Sequence, residues 1–339
     1  TNAADVRGVV GNGASYDIQM DAGVDKADLM IAVTNADEVN LLCCLIAKKA
    51  GGCQTIARVR NPVYHHEIHH IKDELGLSMV INPEWAADME MARLLRFPSA
   101  IDIDTFANGR IELLRFQLDD KNPLCGHKIR DLDTLSKCEV LVCIVERGNE
   151  VRIPGGEFVL ENGDMISVVA SPLNASRFFR TIGIETNQVR NTMIIGGGKI
   201  SFYLAKRLLE MGIQVKIVEK DRAACERLCE QLPKAMIING DGTDRDLLAE
   251  EGLASAEGFA ALTNMDEENV MLSLYAKSMS KAKKITKINR NTFDTIIGSL
   301  GIGSLIYPKH ITSETILQYV RAMQNSIGSN VETLYRLVD

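Results

Sequence analysis

Apolar residues fall along this chain in two periods. Met193 to Ile195 and Val215 to Val218 are short continuous runs of the kind a buried parallel strand needs. Between them Ile200, Leu204, Leu208 and Met211 recur at the spacing of one helix face, and Gly212 ends that helix. The first strand is joined to the helix by Gly196-Gly197-Gly198-Lys199-Ile200-Ser201, a G-x-G turn with serine as the third small residue. The second strand ends on Glu219, with Lys220 after it. Strand, glycine turn, helix, strand and acid in this order form the dinucleotide-binding fingerprint.

Each part has a physical task. Gly196 permits the tight turn, Gly198 lets a pyrophosphate approach the backbone, and Ser201 is small enough for the helix to pack on the strand. The free N–H groups at the helix start attract phosphate. Glu219 is placed to accept hydrogen bonds from ribose hydroxyls and to repel a 2′-phosphate, favouring NAD or an adenine ribonucleotide over NADP. The same elements also suit a doubly wound sheet whose glycine turn binds nothing.

The pattern occurs twice. Gly11-Asn12-Gly13-Ala14 returns as Gly240-Asp241-Gly242-Thr243, and Ala32-Val33-Thr34-Asn35-Ala36-Asp37-Glu38-Val39-Asn40 as Ala261-Leu262-Thr263-Asn264-Met265-Asp266-Glu267-Glu268-Asn269, at one constant offset. Gly76 and Asn82-Pro83 match Gly301 and Tyr307-Pro308 at a slightly shorter one. The chain therefore holds two copies of one αβ unit, the first over residues 1–97 and the second over 185–325. In the first, strands are expected at Val6–Val10, Leu29–Val33 and Thr55–Val59, with helices at Ser15–Ala22 and Asp37–Ala50. Its glycine turn, first helix and acidic strand end would fall before Thr1, so about 35–40 residues of the repeat are expected to be missing. Ligands of doubly wound sheets bind at the carboxyl ends of strands. That brings Asn12, Thr34, Asn35, Arg58 and Arg60 near any nucleotide, with the arginines suited to phosphate. The plainer alternative has Asp37 and Asn40 starting a helix and the arginines facing solvent.

Residues 98–184 change character, with strands expected at Ile111–Leu118, Val140–Val145, Val151–Ile153 and Met165–Ala170 and a short helix at Lys128–Leu132. They read as a small α+β module, and residues 326–339 as the truncated start of a second. Glu84–Arg96 is amphipathic, with Trp85, Met89, Ala92 and Leu95 on one side; its counterpart Ser313–Met323 carries Ile316, Val320 and Met323. Such helices serve as sheet covers or dimer contacts.

The 339 residues call for several domains, and the net charge of −7 argues against a nucleic-acid partner. No run is long enough for a transmembrane helix, and no signal peptide opens the chain, which starts without Met and reads as a fragment. Eight cysteines without a C-x-x-C pair read as reduced thiols of a cytoplasmic protein. His65/His69 and His66/His70 have metal-ligand spacing, but the second copy has Phe293-Asp294-Thr295-Ile296 there, so a solvated helix face is expected and no metal.

The tandem glycine-turn sheets, the G-D-G-T turn, T-N-x-D-E-x-N, the basic strand end and the small module together resemble the RCK (regulator of potassium conductance, or KTN) family, above all the tandem peripheral subunits of bacterial Trk potassium uptake. The resemblance implies an α/β fold: tandem Rossmann-like doubly wound parallel sheets (RCK_N) with a small α+β module (RCK_C) between them. It implies a regulator and not an enzyme, binding NAD(H), ATP or ADP. It also implies a homo-oligomer, a dimer or tetrameric ring, beneath a membrane potassium transporter subunit of the TrkH or KtrB kind. The protein would be cytoplasmic and peripheral on the inner face of the membrane. By residue, Gly196, Gly198, Lys199, Ile200 and Ser201 match the phosphate turn, and Glu219 and Lys220 the ribose acid and its neighbour. Asp241, Thr243, Thr263 and Asn264 match the following strand ends, and Gly11, Asn12, Thr34, Asn35, Arg58 and Arg60 their counterparts. The competing reading is an NAD-dependent oxidoreductase. Against it, no Tyr has Lys four positions later, and His127 and His310 are the only histidines outside the cluster.

Overall fold

A computed structural model describes residues 6–96, 102–106, 111–148, 150–183, 189–290, 297–298 and 300–325. The expected module start after residue 325 and the hairpin residue Asn149 lie outside them. The chain divides into two compact units, one built on residues up to Ala86 with Lys309–Leu317, the other on Ala87–Pro308.

The first unit runs α1 (Tyr16–Asp21), β1 (Leu29–Ala32), α2 (Asp37–Gly51), β2 (Gln54–Arg58), α3 (Pro62–Ile71) and β3 (Met79–Ile81), and then enters α4 (Pro83–Arg96). Its strands pair in the order β1-β2-β3, all parallel, with Ile31 beside Ile56 and Ala57 beside Val80. Asp37 and Glu38 open α2 and Lys48 and Lys49 close it, charges that match the helix dipole. Gly52, in the left-handed region at φ 69°, ends it. Cys43, Cys44 and Ala47 of α2 are buried; Cys43 and Cys44 pack with Ala32, Ala57, Val59, Ile68 and Leu77.

The expected strand at Val6–Val10 does not form. These residues are exposed, Val10 completely. In the second copy their counterpart pairs with the strand that ends on Glu219. The described first copy offers no such neighbour, and an unpaired strand has nowhere to place its backbone hydrogen bonds.

In the second unit the small module runs β4 (Asp102–Phe106), β5 (Ile111–Gln117), α5 (Leu132–Ser136), β6 (Leu141–Arg147), β7 (Glu150–Arg152), β8 (Met165–Ala170) and α6 (Pro172–Thr181). Its antiparallel sheet has the order β4-β5-β8-β6-β7. Phe116 packs edge-on against Phe178 and Phe179 of α6, the nearer ring centroid at 5.0 Å. The carboxylate of the buried Asp164 is held by the Arg147 guanidinium at 2.7 and 2.8 Å and by the Glu161 N–H at 2.8 Å.

The second sheet follows: β9 (Asn191–Ile195), α7 (Lys199–Glu210), β10 (Gln214–Glu219), α8 (Arg222–Gln231), β11 (Met236–Asn239), α9 (Arg245–Glu250), β12 (Gly258–Ala261), α10 (Asp266–Met279), β13 (Lys283–Lys287), β14 (Ser304–Ile306) and α11 (Pro308–Asn325). All six strands are parallel in the order β11-β10-β9-β12-β13-β14. Numbered from β9, this is the 3-2-1-4-5-6 order of dinucleotide-binding sheets. The order reverses between β9 and β12, where Ile194 lies between Ile217 and Ala260. Met193, Ile195, Val218, Phe259, Ala261 and Leu272 fill one side of it. By the repeat, β1-β2-β3 of the first copy correspond to β12-β13-β14, the half beyond the reversal.

The buried face of α4 differs from expectation. Ala87, Met91, Ala92, Leu94 and Leu95 are buried, whereas Trp85 is 39% exposed and Met89 half-buried. Ala92 and Leu95 are thus buried as expected, and Asp88 joins them on that face, ion-paired to Arg207 of α7.

Candidate nucleotide-binding site

The reversal point of the second sheet opens at the carboxyl ends of β9 and β12. Gly196 leaves β9 with φ 99°, its N–H on the Val218 carbonyl at 2.9 Å. A Cβ there would stand 3.1 Å from the Leu262 backbone, so both the turn and the close approach require glycine. At Gly197 a Cβ would strike the side chains of Glu219 and Leu228, whereas Gly198 faces open space. Gly198 is the N-cap of α7 and no side chain caps that helix. The first N–H groups of this 12-residue helix thus lack a side-chain cap, the arrangement that suits an anion at a helix start. Lys199 is exposed, whereas Ile200 and Ser201 are buried.

Glu219, half-buried at the end of β10, accepts the Gly197 N–H at 2.5 Å and the Asp221 N–H at 2.7 Å. It therefore braces the glycine turn. The Asn239 amide donates to the carbonyls of Glu219 and Lys220, both at 3.1 Å, and Lys220 is exposed. After β11, Asp241 accepts the N–H and hydroxyl of Thr243 at 2.8 and 2.7 Å, bonds that hold its carboxyl below the usual range. After β12, Thr263 gives its N–H and hydroxyl to the Asn269 amide oxygen, both at 2.9 Å, and Asn264 is exposed. The Asn269 NH2 donates to the carbonyls of Thr263 and Lys287, tying the ends of β12 and β13.

The first copy repeats this tie: Asn40 accepts the Thr34 N–H at 2.6 Å and donates to the carbonyls of Thr34 and Arg58. Asp37 accepts the N–H groups of Arg60 and Asn61, as Asp266 accepts those of Asn289 and Arg290. Arg58 donates to the carbonyls of Val33 and Thr34, and Arg60 to that of Asn35. Thr34, Asn35, Arg58 and Arg60 thus meet at one edge. Burial, then the charge of Arg60, lowers the Arg58 pKa. Asn12 is exposed; its side chain accepts the Ala14 N–H and its carbonyl the Ser15 N–H. At the places of Arg58 and Arg60 the second copy has Lys287 and Asn289.

Asp37 opens α2, as the plainer alternative had it, and Asn40 lies in the same first turn. The structure makes them ties between strand ends, and their recurrence as Asp266 and Asn269 was the available signal. The reading of the sequence passed over Gly197 and Gly242, where a Cβ would meet Glu219 and Ile195. The side chains of His65, His66 and His69 lie outside the described residues, and His70 is exposed. Among the described residues no cluster of three or more His, Cys, Asp or Glu is placed to hold a metal ion.

The TrkA-N domain model matches residues 1–83 and 192–308, and the TrkA-C domain model matches 113–183. The chain belongs to the TrkA family. This TrkA-family chain is 32% identical over 338 residues to Trk system potassium uptake protein TrkA homolog 2 of Methanosarcina mazei, covering 97% of this chain and 73% of that one. It is 31% identical over 323 residues to Trk system potassium uptake protein TrkA of Haemophilus influenzae, covering 94% and 70%. Among solved structures it matches the GsuK channel with a TM-score of 0.68 at 16% identity, covering 93% of this chain and 56% of that one. The GsuK channel bound to NAD and GsuK bound to ADP match at TM-scores of 0.67 and 0.54. These likenesses give the TrkA-family chain an RCK fold. No helix among its described residues is long and apolar enough to cross a membrane.

Proposed function

We propose that this chain is a nucleotide-sensing regulatory subunit of potassium transport, which binds an adenine nucleotide or NAD(H) in its second copy and passes the bound state to a membrane potassium transporter. The observation that carries the reading is the complete phosphate turn of the second copy, with Glu219 braced beside the uncapped start of α7. Membership of the TrkA family, whose relatives are named for Trk potassium uptake, supplies the transport context. The GsuK structures with NAD and with ADP support both ligand classes.

In this reading Gly196, Gly198 and the backbone of Lys199–Ser201 receive the pyrophosphate, and Lys199 and Lys220 add positive charge at the rim. Glu219 takes the ribose hydroxyls, and Asp241, Thr243, Thr263 and Asn264 border the crevice. In the first copy Asn12, Thr34 and Asn35 lie at the corresponding edge, and Arg58 and Arg60 exchange their carbonyl partners for phosphate oxygens. The subunit works as a homo-oligomer, a dimer or ring, on the inner face of the membrane against a TrkH- or KtrB-like partner. It regulates and performs no turnover.

Calorimetric titration with NADH, NAD, ATP and ADP tests the ligand, and potassium flux through a reconstituted transporter tests the regulation. Micromolar binding that alters flux is the expected result. Nucleotide consumption at enzyme-like rates, or flux indifferent to every nucleotide, would overturn it.

A further inference from the structure

We propose that the ion pair between Asp88 and Arg207 is a pairing code, which assigns helix α4, at the end of the first copy, to helix α7 of the second copy in the same chain. Asp88 is fully buried, and its carboxylate accepts from both Nε and Nη2 of Arg207, the latter at 3.1 Å. Arg207 stands in the last turn of α7 with its side chain only 28% exposed. A bidentate guanidinium–carboxylate pair is directional in a way that an apolar contact is not.

The need for a code comes from the repeat. Aligned through Pro83 and Pro308, α4 carries Met91 and Leu95 where α11 carries Ile316 and Val320. At these two positions both helices are apolar, and burial there alone does not tell one from the other. A charge does tell them apart. At the place of Asp88, α11 has the exposed Ser313, whose hydroxyl is turned back on its own helix to the Lys309 carbonyl at 2.9 Å. Placing α11 on α7 would leave Arg207 without its carboxylate. Seating α4 on a surface without a cation would bury Asp88 unpaired. Both arrangements strand a charge in a low-dielectric contact, and a single buried polar pair fixing register is the best attested use of such groups. Two bonds at the far end of α4 hold the chosen seat: the Leu95 carbonyl accepts the Val189 N–H at 3.1 Å, and Arg96 pairs with the buried Glu112 at 3.0 Å.

Charge reversal in the full chain tests the code. Asp88→Arg and Arg207→Asp should each lower the melting temperature by about 10 °C, and the two together should recover most of it. Co-refolding the two single variants as a mixture should recover nothing, because the pair forms within one chain. The apolar double variant Asp88→Leu/Arg207→Leu should melt as the wild type does but yield several oligomeric species by size-exclusion chromatography with light scattering. Failure of the reciprocal double variant to recover stability would overturn the proposal. So would recovery in the co-refolded mixture, or a single wild-type-sized species from the apolar variant. If a single variant does not fold, the two double variants against the wild type still decide.

Discussion

Glu219→Gln separates the bracing of the turn, which the structure shows, from the ribose contact proposed for the same carboxylate. In the wild type its two oxygens accept the N–H groups of Gly197 and Asp221. Glutamine has one carbonyl oxygen, so one N–H then faces the amide NH2. Loss of one charge-assisted bond is worth about 1.5–3 kcal/mol, and at a half-buried position water returns part of it. The expected loss of stability is about 1–2 kcal/mol, or roughly 2–8 °C in melting temperature. The ligand effect is different in kind. A 2′-phosphate about 4 Å from the carboxylate is opposed by roughly 1–4 kcal/mol per charge, depending on the local dielectric. The wild type should therefore bind NADH at least about fivefold more tightly than NADPH. In Glu219→Gln that preference should collapse to near unity while NADH affinity falls about tenfold. Calorimetric titration of both proteins with NADH, NADPH and ATP reads the affinities, and melting without ligand reads the stability. An unchanged NADH to NADPH ratio beside a lowered melting temperature would refute the ribose role and leave Glu219 as a brace of the turn.

Asn269→Ala removes four hydrogen bonds at a fully buried site and strands the Thr263 N–H and Lys287 carbonyl. It should cost about 2–3 kcal/mol in urea unfolding, and a loss below the experimental error would show that the tie is not needed. Gly196→Ala places a Cβ at φ 99° and 3.1 Å from the Leu262 backbone, so it should lower stability by about 1–3 kcal/mol and also weaken nucleotide binding. Burial raises the pKa of Asp164, but the Arg147 guanidinium and the Glu161 N–H together outweigh it, and the folded carboxyl titrates below the ordinary aspartate value. Its stabilisation is present above the unfolded value near about 3.9 and is lost as pH falls through the lower folded one. Thermal melts from pH 7 to pH 3 should show an acid-labile component that Asp164→Asn removes; an unchanged acid slope in the variant would contradict this.

The sequence by itself determined the local elements around the glycine turn. Continuous apolar runs such as Met193–Ile195 become parallel strands because both faces are covered. The tight turn at Gly196 was legible because backbone conformation is a local property, and its φ of 99° bears that out. The repeat was legible too, since matched motifs imply matched folds. The tertiary structure decided what depends on neighbours far along the chain. Val6–Val10 has the composition of a strand and forms none, because a strand needs a partner and composition does not supply one. Asp37 and Asn40 look like ordinary helix starters until the β2 end folds back onto them. On the buried face of α4, Asp88 meets Arg207, a residue more than a hundred positions away. Periodicity reports which residues avoid water, but only the fold shows which charge is waiting on the other side.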